Sequence, residues 1–565
     1  AQGDLTFTPV FTQGVANSEL TMEDSGHKTV ALEDASFDCS TLGDDCPIED
    51  NTTLKGSFEV YARPWTLAIC SPSGHEMNGD IIHQESVGFA AAGAAFDLHL
   101  RPLRWVSDSS DKSDPLTGGN AIETSEYCNS PITQNFFSLE TKVQLTHQVA
   151  QPERGYDGEL RGTLEQLNTA GKENVPFNGL SWSEVGVLRV NADIDGTYLG
   201  MKVNQGYRNI GRFYPAWLKI ISNDWDYATD HNNFVYMDQA IPYRFVVEAQ
   251  NTGGEPTRNY SQFAHELIAD VKLLAVDSDG EDLGARIKDD AAQFWDGSDQ
   301  DEVKWSGARL AVTNDFIFKK DQVSDVPYTT AVDGPYQNGF GLRVLDKVDS
   351  KMKVDGVDFI DPDLDLKSSG TLIDSGKGFT TQPDIRYGRM VMDDVGGTSV
   401  SKIAIPLRVE YWQGSRFTTN HADSGSVYAT LDNYICKQTL WPSPSSPSNA
   451  KLSGSDTEPW TKVSQGQSKQ LVAEPHATED TQGLREQIRF WLRLDNDQTN
   501  LEDNKRSPQV GEEGVKCGTQ YTSQPWLQYN WFARGDEDPS AVVTFGIHRG
   551  NDKIIFRGET RLSGQ

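Results

Sequence analysis

The sequence predicts an all-β protein, built as tandem immunoglobulin-like β-sandwich modules in an elongated array. Three observations carry that expectation. Apolar and polar residues alternate over short runs, Gly, Asn and Asp breaks recur about every ten residues, and two sequence elements occur twice.

The first repeated element is LTMEDSGHKTVAL at residues 20–32, matched by LSWSEVGVLRVNA at 180–192. Each holds a leucine, a hydroxyl residue, an acidic position and a glycine ahead of an alternating tail. Gly26 and Gly186 stand where a strand corner needs backbone freedom that a Cβ would resist. Beyond Gly186, Val187, Arg189 and Asn191 point one way and Leu188, Val190 and Ala192 the other, the two-residue period of a half-buried strand. The element reads as a β-hairpin.

The second repeated element sets VYARPWTLAI (60–69) against GRFYPAWLKI (211–220), aligning Pro64 with Pro215, Leu67 with Leu218 and Ile69 with Ile220. Proline is tolerated at the first residue of a strand, so both stretches read as a new strand entering after a linker. A looser match pairs GAAFDLHLRPL (93–103) with AIPYRFVVEAQ (240–250). Together these imply a repeated module of roughly 150 residues. Because the chain meets an end element at Leu20 before its first start at Pro64, residues 1–62 read as a half module or the tail of a domain begun upstream. The expected division is a partial or small β module at 1–62, β-sandwich modules at 63–213 and 214–380, and a carboxy-terminal β domain at 381–565.

Helical periodicity is scarce. YSQFAHELIADVKLLAV (260–276) predicts a helix of a few turns in its first part, and LREQIRFWLRL (484–494) alternates Ile488, Phe490, Leu492 and Leu494 as a strand. WPSPSSPSNAKLSGSDTEP (441–459) reads as an exposed proline and serine loop.

With 83 acidic and 50 basic residues the formal charge is −33, a field that repels nucleic acid and anionic membranes. The longest nearly apolar run, VGFAAAGAAF at 87–96, is about half of what a bilayer-spanning helix needs, so no direct membrane span is expected. AQGDLTF lacks the basic and apolar regions of a signal peptide, which places any export signal upstream or already removed. The six cysteines form no C-x-x-C pair. An even count without metal-ligand spacing favours disulfides and an oxidising compartment. Locality selects Cys39 with Cys46, Cys70 with Cys128, and Cys436 with Cys517.

Catalytic motifs are missing. His75-Glu76 and His265-Glu266 open like zinc-protease helices, but Gly79 and Ala269 stand where the second histidine belongs. GTLIDSGKG (370–378) has the wrong glycine spacing for a phosphate loop, and Gly378 occupies the position of the magnesium-binding hydroxyl. Hard cations take clustered oxygen ligands, which makes calcium the ion to test. Asn191, Asp193, Asp195 and Gly196 open like an EF-hand, yet Lys202 replaces its closing glutamate. Asp277, Asp279 and Asp282, and then Asp361, Asp363 and Asp365, place carboxylates close enough to share a calcium ion; the competing reading is a solvated turn.

A further set of stretches is familiar as a group. SEVGVLRVNA with IGRFYPAWLKI, FVYMDQAIPYRFVVEAQN with NYSQF, DGPYQNGFGLRVLD, IRYGRMVMDD with IPLRVEYWQGSRF, and PWLQYNWF with DPSAVVTFGIHRGNDKIIF run in order from about residue 60 onward. The set resembles the carboxy-terminal region of the MshQ-like family, associated with the mannose-sensitive haemagglutinin (MSHA) type IV pilus. The resemblance implies an exported protein, a lectin-like part upstream that is absent here, and no catalytic residue to carry over.

The expected function is therefore a non-enzymatic, cell-surface stalk or tip-associated adhesin component of a type IV (MSHA-like) pilus, with pilus or cell-surface proteins and surface glycans as partners. The alternative is an extracellular carbohydrate-binding or carbohydrate-active protein, suggested by 13 tryptophans. Trp182, Trp217, Trp225, Trp412, Trp526 and Trp531 gathered at a carboxylate-lined cleft would favour that alternative; burial in separate cores would favour the array.

Overall fold

A computed structural model describes residues 6–38, 45–46, 53–105, 121–289, 293–295, 303–323, 329–344, 359, 365–367, 375–444, 448–454, 460–476, 485–495, 514–531 and 535–546. Among them the regular structure is β-strand with short 3-10 turns, and no helix is long and apolar enough to cross a membrane.

The chain opens with an antiparallel ribbon, β1 (Gly26–Asp34) and β2 (Leu54–Ala62), in full register from Gly26 opposite Ala62 to Asp34 opposite Leu54. The first sandwich follows. One sheet runs β3 (Leu67–Cys70), β4 (Phe96–Pro102), β7 (Val175–Trp182), β6 (Leu160–Arg161); the other runs β9 (Gln205–Tyr214), β8 (Gly186–Ile194), β5 (Lys142–Gln151), with short strands at its edges. Lettered by chain position, the sheets are ABED and GFC, the strand order of an immunoglobulin constant-type domain. Leu98, Leu100, Phe177 and Trp182 from one sheet meet Leu188, Val190, Ala192 and Ile210 from the other, all fully buried.

The second sandwich repeats this order. β10 (Trp217–Trp225), β11 (Ile241–Gln250), β14 (Arg309–Phe316) and β13 (Trp305–Ser306) form one sheet; β12 (Val271–Ala275), β15 (Phe340–Val344) and β16 (Ser375–Gly378) run through the other. The sequence matches at Pro64/Pro215 and at 93–103/240–250 thus fall at the first and second strands of both sandwiches. The third sandwich keeps the skeleton: β17 (Gly388–Met392) and β21 (Gln467–Ser468) both pair with β19 (Leu407–Trp412), facing a sheet ordered β18 (Val395–Gly397), β24 (Ser540–Phe545), β22 (Glu486–Leu492), β20 (Ile435–Trp441), β23 (Val515–Cys517). Ile488, Phe490, Leu492 and Leu494 are buried, as their alternation requires.

Gly186 shows why the corner needs glycine. Its φ is +122°, and a Cβ there would lie 2.2 Å from the Gln151 carbonyl oxygen at the end of β5. The second sandwich has its equivalent at Gly339, with φ +94° and the Val276 carbonyl at 2.0 Å from an added Cβ.

The helix predicted at the start of 260–276 is corrected. Tyr260–Gln262 and His265–Leu267 form two 3-10 turns, and Phe263 and Ile268 are extended after them. Leu267, Ile268, Ala269 and Asp270 are buried in an unbroken run, which a single face of an amphipathic helix could not cover, and the Tyr260 hydroxyl takes the Ala269 N–H.

Candidate functional site

Two groups of buried polar side chains lie where one sandwich meets the next. At the first junction Glu184 occupies the short corner between β7 and β8 and is 1% exposed. Its carboxylate accepts the N–H of its neighbour Val185 at 2.9 Å, then crosses to the second sandwich for the N–H groups of Arg258 at 2.9 Å and Asn259 at 3.2 Å. Asn259 answers in kind: its side chain donates to the carbonyls of Tyr156 and Val185 and accepts the Tyr156 N–H at 2.8 Å. Asn251 donates to the Ser183 carbonyl, and the Thr252 N–H to the Ala92 carbonyl. Around this polar clasp Ile81, Ala92, Val185 and Val187 join the second sandwich's core. Burial raises the Glu184 carboxyl above the usual range, against three N–H groups that favour its charge.

At the second junction the connection from β10 to β11 enters the third sandwich. Val235 and Tyr236 pair in parallel with Ile385 and Arg386, and Phe234 and Tyr236 lie wholly inside the third core. The Tyr236 hydroxyl donates to Asp423 Oδ2 at 2.8 Å and accepts from the Asn420 amide at 2.7 Å. Asp423, fully buried, also takes the N–H groups of Gly425 and Ser426 and the Ser426 hydroxyl. His231 Nε2 lies 3.5 Å from Asp423 Oδ1, its ring stacked on Phe234. Burial pulls the His231 imidazole below its ordinary value against the pull of Asp423 and Asp230; burial first, then Asp423, pushes the Tyr236 hydroxyl well up. Lys320, 4% exposed, donates to the Gln528 carbonyl at 3.1 Å and stands 4.5 Å over the Tyr387 ring. At the rim Lys462 pairs with Asp230 at 2.7 Å.

These groups can hold two domains in one relative orientation. Each buried carboxylate has its oxygens occupied by fixed donors, an arrangement that favours static recognition of a neighbouring domain.

The sites predicted from sequence fall elsewhere. Cys70 is bonded to Cys128, and Cys436 to Cys517, which face each other directly across β20 and β23. Cys46 is disulfide-bonded, while Cys39 lies outside the described residues. Asp277 Oδ1 accepts the N–H groups of Asp279 and Glu281, and Asp282 Oδ1 that of Gly284, so both carboxylates close their own turns. Among the described residues no group of three or more His, Cys, Asp or Glu is placed to hold a metal ion. Asp361 and Asp363 lie outside the described residues, as does the side chain of Asp365. His75 and Glu76 are exposed, and His265 pairs with Glu266 at the surface.

Trp182 and Trp225 are buried in the first and second cores, and Trp217 donates to Gln250. Trp526 packs on the third core. Trp412 and Trp531 approach each other through Phe417 and Tyr529, with the Arg389 guanidinium, held by Glu410 at 2.7 Å, 3.6 Å from the Phe417 centroid. The six do not share one cleft.

Sequence reasoning marked the acidic position of Glu184 only as part of a pattern. It missed Asn259, His231, Tyr236 and Asp423, whose partners across the junctions lie about 70 to 190 residues away.

Among solved structures, an I-band fragment from titin is 8% identical, covering 84% of this chain and 98% of that one at a TM-score of 0.22. FdeC, a broadly conserved Escherichia coli adhesin, is 10% identical over 75% of this chain and 91% of its own, at a TM-score of 0.25. Three N-terminal domains of the bacteriophage RB49 outer capsid protein Hoc are 10% identical over 76% and 93%, at 0.20. All superpose loosely. No curated protein sequence matches the chain. Residues 63–176, 184–368 and 386–560 match, in order, the second, third and fourth domains of DUF6701, so the chain belongs to the DUF6701 family.

Proposed function

We propose that the chain is a non-enzymatic, extracellular stalk: a rigid spacer in a stalk or tip-associated adhesin component of a type IV (MSHA-like) pilus. One observation carries the reading. Both junctions between sandwiches are buried and polar, with Glu184 and Asp423 each binding groups from the neighbouring sandwich. A flexible string of beads would need neither, because mobile linkers leave little interdomain area to bury. Domains held this way transmit force and position along the chain. The disulfides support an oxidising compartment, and the acidic surface supports a protein kept in solution outside the cell. The ordered MshQ-like stretches point the stalk toward a pilus.

The test is immunogold labelling of intact cells of the source bacterium, with and without assembled type IV pili. Surface label that depends on the pili supports the proposal. Retention inside the cell, or surface label indifferent to pili, overturns the pilus assignment; catalytic turnover of a glycan would overturn the non-enzymatic one.

A further inference from the structure

We infer that the chain uses a two-part docking code, in which an acid-x-Gly strand corner on one β unit is received by a Thr-x-Asn-aromatic loop on the next. The code occurs twice. Glu184-Val185-Gly186 meets Thr257-Arg258-Asn259-Tyr260, and Asp24-Ser25-Gly26 meets Thr133-Gln134-Asn135-Phe136.

The two copies agree atom for atom in their essentials. Asp24 Oδ1 accepts the Ser25 N–H at 2.8 Å and the Asn135 N–H at 3.0 Å; Glu184 Oε1 accepts the Val185 N–H at 2.9 Å and the Asn259 N–H at 3.2 Å. Gly26 and Gly186 share a φ of +122°, and each is the first residue of its strand. Both receiving loops connect the second strand of their sandwich to the third. In each, the aromatic N–H donates to the threonine carbonyl at 3.3 Å, and the aromatic is fully buried within a 3-10 turn, Phe136 inside Gln134–Ser138 and Tyr260 at the start of Tyr260–Gln262. The aromatic anchors the loop in its own core, the turn exposes the asparagine N–H, and the incoming carboxylate binds it. Glutamate's extra methylene lets Glu184 reach a second amide, that of Arg258.

The third sandwich marks the limit of the code. The second sandwich presents Gln337-Asn338-Gly339 at its corner, without an acid. The matching loop, Thr418-Thr419-Asn420-His421, gives its Asn420 N–H to the Val409 carbonyl and its side chain to Tyr236. The ribbon β1–β2 is therefore seated on the first sandwich by the same contact that seats the first sandwich on the second. The partner that fits such a loop is another β unit with an acid-x-Gly corner. This holds whether or not the stalk belongs to a pilus.

Hydrogen exchange on the full chain tests it. Asp24→Ala should speed exchange at the Asn135 amide about tenfold and leave Arg258 and Asn259 unchanged, and Glu184→Ala should do the reverse. Asp24→Glu and Glu184→Asp should retain most of the protection. Equal acceleration at both loops in either variant, or none at the cognate loop, overturns the inference. If Glu184→Ala fails to fold, the Asp24→Ala result decides alone, because the ribbon it seats lies outside every sandwich core.

Discussion

The Tyr236 hydroxyl, carried by the second sandwich, donates its proton to Asp423 of the third at 2.8 Å, and both side chains are fully buried. A hydrogen bond to a buried charge is worth about 1.5–3 kcal/mol, more than most surface pairs. Tyr236→Phe keeps the ring and removes the donor, so the third sandwich should lose roughly that amount of stability. Denaturant unfolding followed by tryptophan fluorescence reads it. An unchanged midpoint would mean that Gly425 and Ser426 satisfy Asp423 without the tyrosine.

His231 should make the same junction sensitive to acid. Its folded-state value is pulled below the ordinary 6.5 by burial, with Asp423 and Asp230 opposing. The unfolded chain therefore binds a proton that the folded chain refuses. Stability from neutral His231 is whole above pH 6.5 and is lost as pH falls through the lower folded value. Urea midpoints from pH 7.5 to 5 should fall more steeply for the wild type than for His231→Phe. Identical slopes would remove His231 from the account.

How far the sequence foretold this depends on distance along the chain. Gly186 and the alternation after it were readable because a strand corner and a two-residue period are local, and Pro64 and Pro215 marked two first strands for the same reason. The third sandwich shows no such start element: Gly388 opens its first strand without a proline, so its kinship to the others rests on sheet order. The 260–276 segment misled because its apolar spacing reflects burial on several sides. Asp423 carried no signal at all, since one acid among 83 is marked as a junction residue by the Tyr236 it meets, which is 187 residues away.

The Cys436–Cys517 bond should hold the edge of the third sandwich. β23 is three residues long and sits outermost in its sheet, and the bond closes a separation of 81 residues. In the chain-entropy picture a loop of that length is worth about 4 kcal/mol. Cys517→Ser should cost a large part of this and raise hydrogen exchange at Val515–Cys517 first. Protection unchanged there would show that the ladder alone secures the strand.

Asp277 offers a clean test of calcium. Because its Oδ1 already closes a turn onto the amides of Asp279 and Glu281, Asp277→Ala should destabilise by about 1 kcal/mol and Asp277→Asn by much less. Scanning calorimetry of the wild type and Asp277→Asn should give the same midpoints with chelator and with millimolar calcium. A rise with calcium in the wild type that Asp277→Asn abolishes would establish the loop as an ion site, by mass action on the folded state.

The family's second and third domains divide between residues 176 and 184, whereas the first sandwich runs on through β8 and β9 to Tyr214. A fragment of residues 63–182 lacks the central β8, whose partners are β5 on one side and β9 on the other. It also lacks Leu188, Val190, Ile210 and Phe213, each fully buried. Losing those side chains forfeits about 1.5–3 kcal/mol apiece, and a domain of this size has only about 5–15 kcal/mol to lose. The 63–182 fragment should therefore stay unfolded, while 63–214 should melt cooperatively with its near-ultraviolet circular dichroism intact. If 63–182 folds and 63–214 gains nothing over it, the sandwich is not the unit of stability, and the two carboxy-terminal strands belong energetically to the domain that follows.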